Sequence, residues 1–221
     1  MMITAGHINL YNMSPGAFQV PQKQQGLDYW GGVRAGGNGM TLEKITKDNL
    51  DYAVQIQEEI FPGESGRANF EEAIEGSFDG NYYLIVEDEA CAGVIGIYSY
   101  PEDSESAWLG WFGIREGFRR KHLGSEALKV FEAMAETRGY KYARLYTDAE
   151  QNDAAISFYM ANGYICEPYQ NMEDPACLVY KALIFSKPLT PAPLALWNSR
   201  NIHLTEQIEK QRMHRRGQSV K

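Results

Sequence analysis

Phe118-Arg119-Arg120-Lys121-His122-Leu123-Gly124-Ser125 is the stretch on which the reading of this chain turns, and Asn152-Asp153-Ala154-Ala155-Ile156-Ser157-Phe158-Tyr159-Met160-Ala161-Asn162-Gly163-Tyr164 is its companion. The octet lies between a β-rich run, Ala107 to Ile114, and a helical stripe of Leu123, Ala127, Phe131, Met134 and Ala135. Gly139 stands where that helix would take a left-handed C-cap. A helix start leaves its first backbone N–H groups without partners inside the helix and adds a partial positive dipole. A loop wound there can therefore hold a pyrophosphate without a dedicated cationic side chain. Gly124 permits close backbone approach, while Arg119, Arg120 and Lys121 add charge. Alone, the octet reads equally as an ordinary basic loop capping a core helix.

Downstream, Tyr142 to Thr147 reads as a strand that a right-handed crossover sets parallel to Ala107–Ile114. A short helix, Asp153 to Ala161, follows with Asn152 as its N-cap and Asn162-Gly163 as its stop, and Tyr164 to Glu167 and Cys177 to Ile184 close the sheet. Upstream, Leu42-Glu43-Lys44-Ile45 is strand-like. A helix then carries Leu50, Ala53, Val54, Ile60 and Phe61 and stops at Pro62-Gly63. A second helix shows Phe70, Ala73, Ile74 and Phe78 and is closed by Asp79-Gly80. Tyr82 to Val86 and Ala92 to Tyr100 form a hairpin around Glu87-Asp88-Glu89, and the acidic turn Glu102-Asp103-Ser104-Glu105 leads into Ala107–Ile114. This order predicts an α/β domain with a mixed sheet.

The regular pattern occupies residues 40–186. Residues 1–39, rich in Gly, Gln, Asn and Pro, read as a leader or linker, disordered or not native to the domain. Residues 187–221 read as a Pro-containing linker and a basic tail, in which Leu194 to Arg216 is a solvated segment or a weakly amphipathic helix. The tail concentrates Arg200, Lys210, Arg212, Arg215, Arg216 and Lys221, so the net charge of −8 understates how acidic the body is. An acidic body disfavours nucleic acid and attracts a cationic partner. The 44% hydrophobic content is that of a globular chain, and no apolar run reaches the roughly 18 residues that a membrane span needs. Three cysteines, Cys91, Cys166 and Cys177, lack metal-type pairing and read as reduced thiols, Cys166 and Cys177 as buried structural ones. With no secretory pattern at the N-terminus, the expected compartment is cytoplasmic.

Together, the two quoted segments resemble the GNAT superfamily of N-acetyltransferases. Arg119 to Gly124 occupies the family's R/Q-x-x-G-x-G/A acyl-CoA loop, and Asn152 to Tyr164 resembles its N-x-x-A-x-x-F-Y-x-x-x-G-F/Y segment. The resemblance implies the acyl-CoA N-acyltransferase fold: a central, mostly antiparallel sheet with one parallel splayed pair, flanked by about four helices. His122 departs from the pattern, standing where the family's first loop glycine usually sits. It can still offer its backbone N–H if its dihedrals stay in the helical region.

The resemblance also implies an activity: direct attack of a bound amine on acetyl-CoA as cosubstrate, with no metal and no acyl-enzyme. The cofactor-binding positions carried over are Arg119, Arg120, Lys121, His122, Leu123, Gly124 and Ser125 at the diphosphate, Asn152 at the pantetheine arm, and Phe112 and Ile114 beside the splayed slot. The Ile114 N–H would polarise the thioester carbonyl, and Tyr159 would be the general acid to the departing thiolate; alone, Tyr159 reads as a packed aromatic. Relatives often place a basic Glu early in the strand before the loop, where Trp108 stands here, which leaves Glu105, Asp103 and Glu150 as candidate bases. Tyr98, Tyr100, Trp108 and Trp111 line an acceptor pocket or pack on the sheet, packing being the favoured reading. A small cationic amine is the expected acceptor. Protein or peptide acetylation and a CoA-binding module without turnover are the alternatives, and a homodimer is plausible by resemblance only.

Overall fold

The chain runs β1 (Thr41–Lys44), α1 (Leu50–Ile60), α2 (Arg67–Glu75), β2 (Gly80–Glu87), β3 (Ala90–Tyr100), β4 (Asp103–Ile114), α3 (Leu123–Thr137), β5 (Tyr142–Asp148), α4 (Asp153–Ala161), β6 (Ile165–Pro168) and β7 (Ala182–Pro188). This computed structural model describes residues 39–77, 79–150, 152–172, 174, 181–191, 193–200 and 202–204. The leader up to residue 38, Phe78, Cys177 and the tail beyond 204 lie outside the described residues, and so do His7 and His214. No described helix is long and apolar enough to cross a membrane.

The described strands form one sheet in the order β1-β2-β3-β4-β5-β7-β6. Neighbours pair antiparallel except β4 and β5, which are parallel because α3 carries the chain across one face between them. Alternation along the strands sorts side chains to two faces. Tyr82, Leu84, Tyr98, Trp108, Trp111, Tyr146 and Ile184 share one core with α1 and α2. Ile85, Ile95, Ile97, Leu109, Leu145 and Phe185 share the other with α3 and α4.

The two helical stops expected after α3 and α4 are present as left-handed glycines, Gly139 at φ 83° and Gly163 at φ 87°. The expected stop of α2 is not. That helix ends at Gly76, φ 70°, whose amide returns to Ala73 and Glu72 carbonyls, and Gly80 instead opens β2. The acidic turn is also shorter than expected, because Asp103 already belongs to β4 and is wholly buried. Its carboxylate accepts from Ser106 Oγ at 2.9 Å and Trp108 Nε1 at 3.0 Å and pairs with Arg144 at 3.7 Å and with Arg200. The two arginines come from distant parts of the chain, which explains why a local reading makes the residue a solvated turn.

The C-terminal boundary is corrected in the same way. Lys187 and Pro188 belong to β7; Leu189 packs against the α3–α4 core, while Trp197, Ile202 and Leu204 join the α1–α2 core instead of lying in a free linker or tail. Trp197 and Leu204 are fully buried, and Trp197 meets Trp108 edge-on at 5.1 Å. Its backbone N–H donates to Glu167 Oε1 at 2.6 Å, and Arg144 Nη2 donates to the Ala195 carbonyl.

Candidate active site

The site begins with a defect in β4. Its register with β3 slips between Val94↔Gly113 and Gly96↔Gly110, and Trp111 takes a left-handed φ of 36°. Gly110 and Trp111 therefore both turn toward the α1–α2 face, as a β-bulge requires. A bulge bends its strand, and the consequence is visible on the other edge: β4 and β5 pair only at Ser106↔Tyr142, Ala107↔Ala143 and Trp108↔Arg144. Beyond that point 109–114 and 145–148 diverge and leave a slot.

Phe112 and Ile114 stand on the α3–α4 side of this slot. The Arg115 N–H donates to the Ala92 carbonyl at 2.8 Å, so by antiparallel alternation the Ile114 N–H and C=O turn away from β3, toward the slot. The Ile114 carbonyl accepts from Arg119 Nε at 2.9 Å, which ties the loop to the strand end. Arg119 is thus half-buried and braced on β4, while Arg120, Lys121 and His122 are exposed. Burial lowers the Arg119 pKa from its ordinary value.

At the loop's end, His122 is the N-cap of α3 with φ 65° and ψ −2° and makes no side-chain cap. This corrects the expectation of helical dihedrals: the histidine adopts the left-handed conformation that glycine takes without strain. A left-handed residue followed by the first helical residue turns successive N–H groups into an anion-binding concavity. The α3 ladder begins with Glu126 N–H to the His122 carbonyl at 3.0 Å, so Leu123, Gly124 and Ser125 present amides that precede it. A Cβ built at Gly124 would meet nothing nearer than the Phe158 ring at 3.5 Å, so the protein's own packing does not demand glycine there.

Asn152 is the N-cap residue of α4, as expected, although its side chain makes no capping bond; its Nδ2 donates to the Asp148 carbonyl at 3.1 Å and holds the end of β5. Tyr159 points inward from α4, buried against Phe158, Tyr164 and Phe185 at ring distances of 5.3, 5.8 and 5.4 Å. Burial pushes its phenol well above the ordinary value. Phe112 and Phe158 stand 6.0 Å apart, which links the slot to this cluster. Thr147, on the same face, is almost wholly buried and its hydroxyl has no hydrogen-bond partner among the described residues. Sequence reasoning passed over it as one more β-former, since nothing local marks an unpartnered hydroxyl.

The candidate bases fare differently. Asp103 is locked in its buried network, Glu105 pairs with Lys141 and Glu150 with Lys181, and hydrogen bonding from those lysines holds both glutamates below the usual carboxylate range. The aromatic set is packed: Tyr98, Tyr100, Trp108 and Trp111 are all buried, with Tyr100 and Trp108 edge-on at 4.9 Å. Cys91 and Cys166 are free thiols, and burial raises the Cys91 pKa to about 11. No group of three metal-ligating side chains occurs among the described residues.

The start of α3, which carries no side-chain cap, stands next to the parallel pair whose pairing stops at Trp108↔Arg144, and comparison with known proteins gives the class of the protein. The model of the Acetyltransferase (GNAT) family matches residues 50–164, and the chain belongs to that family. An uncharacterized N-acetyltransferase of Bacillus subtilis, YdgE, is 28% identical over 131 residues, covering 57% of this chain and 82% of that protein. A solved GNAT-family structure from Desulfovibrio desulfuricans superposes with a TM-score of 0.60 at 12% identity, covering 68% of this chain and 99% of that one. A ribosomal L7/L12 α-N-protein acetyltransferase solved with coenzyme A gives 0.52 at 13% identity, over 70% and 96%. The protein is an acyltransferase of the N-acetyltransferase class.

Proposed function

We propose that the protein transfers the acetyl group of acetyl-CoA directly to a primary amine, most readily a small cationic one. The observation that carries this reading is the coincidence of the uncapped α3 N-terminus with a slot that begins where β4–β5 pairing stops at Trp108↔Arg144. Three local features fit the cosubstrate: amides of Leu123, Gly124 and Ser125 outside the helix ladder, a glycine at 124 that the protein's own packing does not demand, and the unpartnered Thr147 hydroxyl beside the slot.

In this reading the amides of 122–125 hold the diphosphate, and Arg120 and Lys121 add screened positive charge. Arg119 braces the loop, Phe112 and Asn152 border the pantetheine arm, and the Ile114 N–H meets the developing oxyanion. A preorganised donor of that kind lowers the barrier by about 2.7–4 kcal/mol. Tyr159 acts on the departing sulfur. Because burial disfavours its ionised form, it serves as a hydrogen-bond donor that stays protonated while charge builds on the thiolate.

The acidic body favours a cationic acceptor. Release of free CoA thiol, followed with polyamines, amino acid amides and peptides bearing free N-termini, tests the assignment. Turnover with small amines above peptides is expected; turnover confined to peptides would move the acceptor to a protein, and acetyl-CoA binding without amine-dependent thiol would remove the catalytic reading.

A further inference from the structure

The attacking amine must lose a proton, and the three carboxylates that sequence order suggests are engaged elsewhere. We propose that Asp148 is the general base, standing on the side of the slot opposite Tyr159. The inference rests on the acetyltransferase reading above and names the residue that completes it.

Register fixes the placement. In the β5–β7 ladder Tyr146 lies opposite Ile184 and Asp148 opposite Ala182, and Tyr146, Ile184 and Ala182 all belong to the α1–α2 core. Cross-strand partners share a face, so the Asp148 side chain leaves β5 on that side. Leu145 lies opposite Phe185 in the α3–α4 core, and Thr147 opposite Leu183, which packs against it. Thr147 and Asp148 therefore project to opposite faces at the same level of the slot. Because parallel pairing stops at Trp108↔Arg144, Asp148 borders the gap, level with the 112–114 stretch of β4, and not a paired strand.

Coenzyme A, if gripped by α3, enters from the α3–α4 face, and those helices cover that face. The acceptor then reaches the thioester carbonyl through the other mouth, where Asp148 stands. The residue is half-buried and its Oδ1 is buried, so a carboxylate there is shielded from bulk water. Asn152 Nδ2 holds its backbone carbonyl at 3.1 Å, which fixes the strand end. Ionisable groups on the neighbouring elements of this face are Tyr146, the Lys181–Glu150 pair, Tyr169 with Asp174, His203 and the Glu59–Arg115 pair.

The step balances. Asp148 takes one proton from the ammonium, the neutral amine forms the C–N bond, and the C–S bond breaks while the Tyr159 hydroxyl donates a hydrogen bond to the departing sulfur and keeps its own proton. The second amine proton goes to the thiolate, giving the CoA thiol, and Asp148 returns its proton to water.

Asp148→Asn, Asp148→Glu and the control Glu150→Gln test the assignment. With a strongly basic amine, D148N should lower kcat by at least about a hundredfold, D148E should recover part of it, and E150Q should match the wild type. The heat of acetyl-CoA binding should be unchanged in D148N, and the deficit should shrink with a weakly basic amine that is already neutral at the assay pH. D148N retaining more than half of kcat, or a deficit equal for basic and weakly basic amines, would overturn the assignment. Acetyl-CoA heat in those same samples keeps the acetyltransferase reading standing; wild-type protein without such heat defeats that reading itself.

Discussion

His122 holds a φ of 65° at the start of α3, a conformation that costs an L-residue roughly 1–2 kcal/mol and a glycine nothing. Replacing it by glycine removes that penalty but adds roughly 0.4–1 kcal/mol of unfolded-chain entropy, so H122G should be as stable as the wild type or slightly more so. Thermal melts check this; a clear fall in Tm would mean that the imidazole contributes contacts beyond its backbone. Two residues on, Gly124 gives the complementary test. A Cβ there meets only ordinary contacts within the protein, and alanine is the better helix former by about 1 kcal/mol. G124A should therefore keep or raise Tm while weakening coenzyme A at least about tenfold, a loss of roughly 1.4 kcal/mol. Unchanged affinity would mean that the cosubstrate does not approach this amide closely. Tyr159→Phe should lower kcat with acetyl-CoA affinity intact, and since burial raises the phenol above its usual 10, the wild-type rate should not fall from ionisation of this group up to that pH. The histidine's departure from the glycine pattern is legible in the sequence, but its handedness is not, because a dihedral depends on how the loop is anchored through Arg119.

The β3–β4 pair sets the geometry of the slot, and its glycines are sterically obligatory. A Cβ on Gly93 would lie 2.2 Å from the Gly113 carbonyl oxygen, and one on Gly113 would lie 2.5 Å from Ile60 Cγ2. Backbone cannot yield as a flexible side chain can, so G93A should destabilise by roughly 3 kcal/mol or more, near the upper end of overpacking. Denaturant unfolding would show it; a wild-type midpoint would mean that the strands separate freely there. Helices α3 and α4 were readable almost to the residue because apolar spacing and the glycines after them are local signals. The bulge was not, since an aromatic residue inside a β-rich run gives no sign that Trp111 adopts a left-handed turn. Asp148 was missed for a related reason: the strand read from Tyr142 stops at Thr147, whereas Asp148 is the last residue of β5, and only the register with β7 assigns its face.

At the scale of the molecule, residues after β7 complete the α1–α2 face. Trp197 meets Trp108 edge-on and lies beside the guanidinium groups of Arg144 and Arg200, which both reach Asp103. Its truncation, W197A, should destabilise the protein by about 3–5 kcal/mol, as loss of a large buried aromatic does. A variant with the wild-type Tm would show that the segment rests on the domain without supporting it. A run of prolines followed by basic residues reads as a free tail, because the partners that bury it, Glu167, Arg144 and Asp103, are far away in the sequence. The whole account depends on the start of α3 receiving the diphosphate of coenzyme A. Isothermal calorimetry of the full chain with coenzyme A and with acetyl-CoA tests it most directly: saturable one-to-one heat from both ligands is predicted, and no heat from either would contradict it.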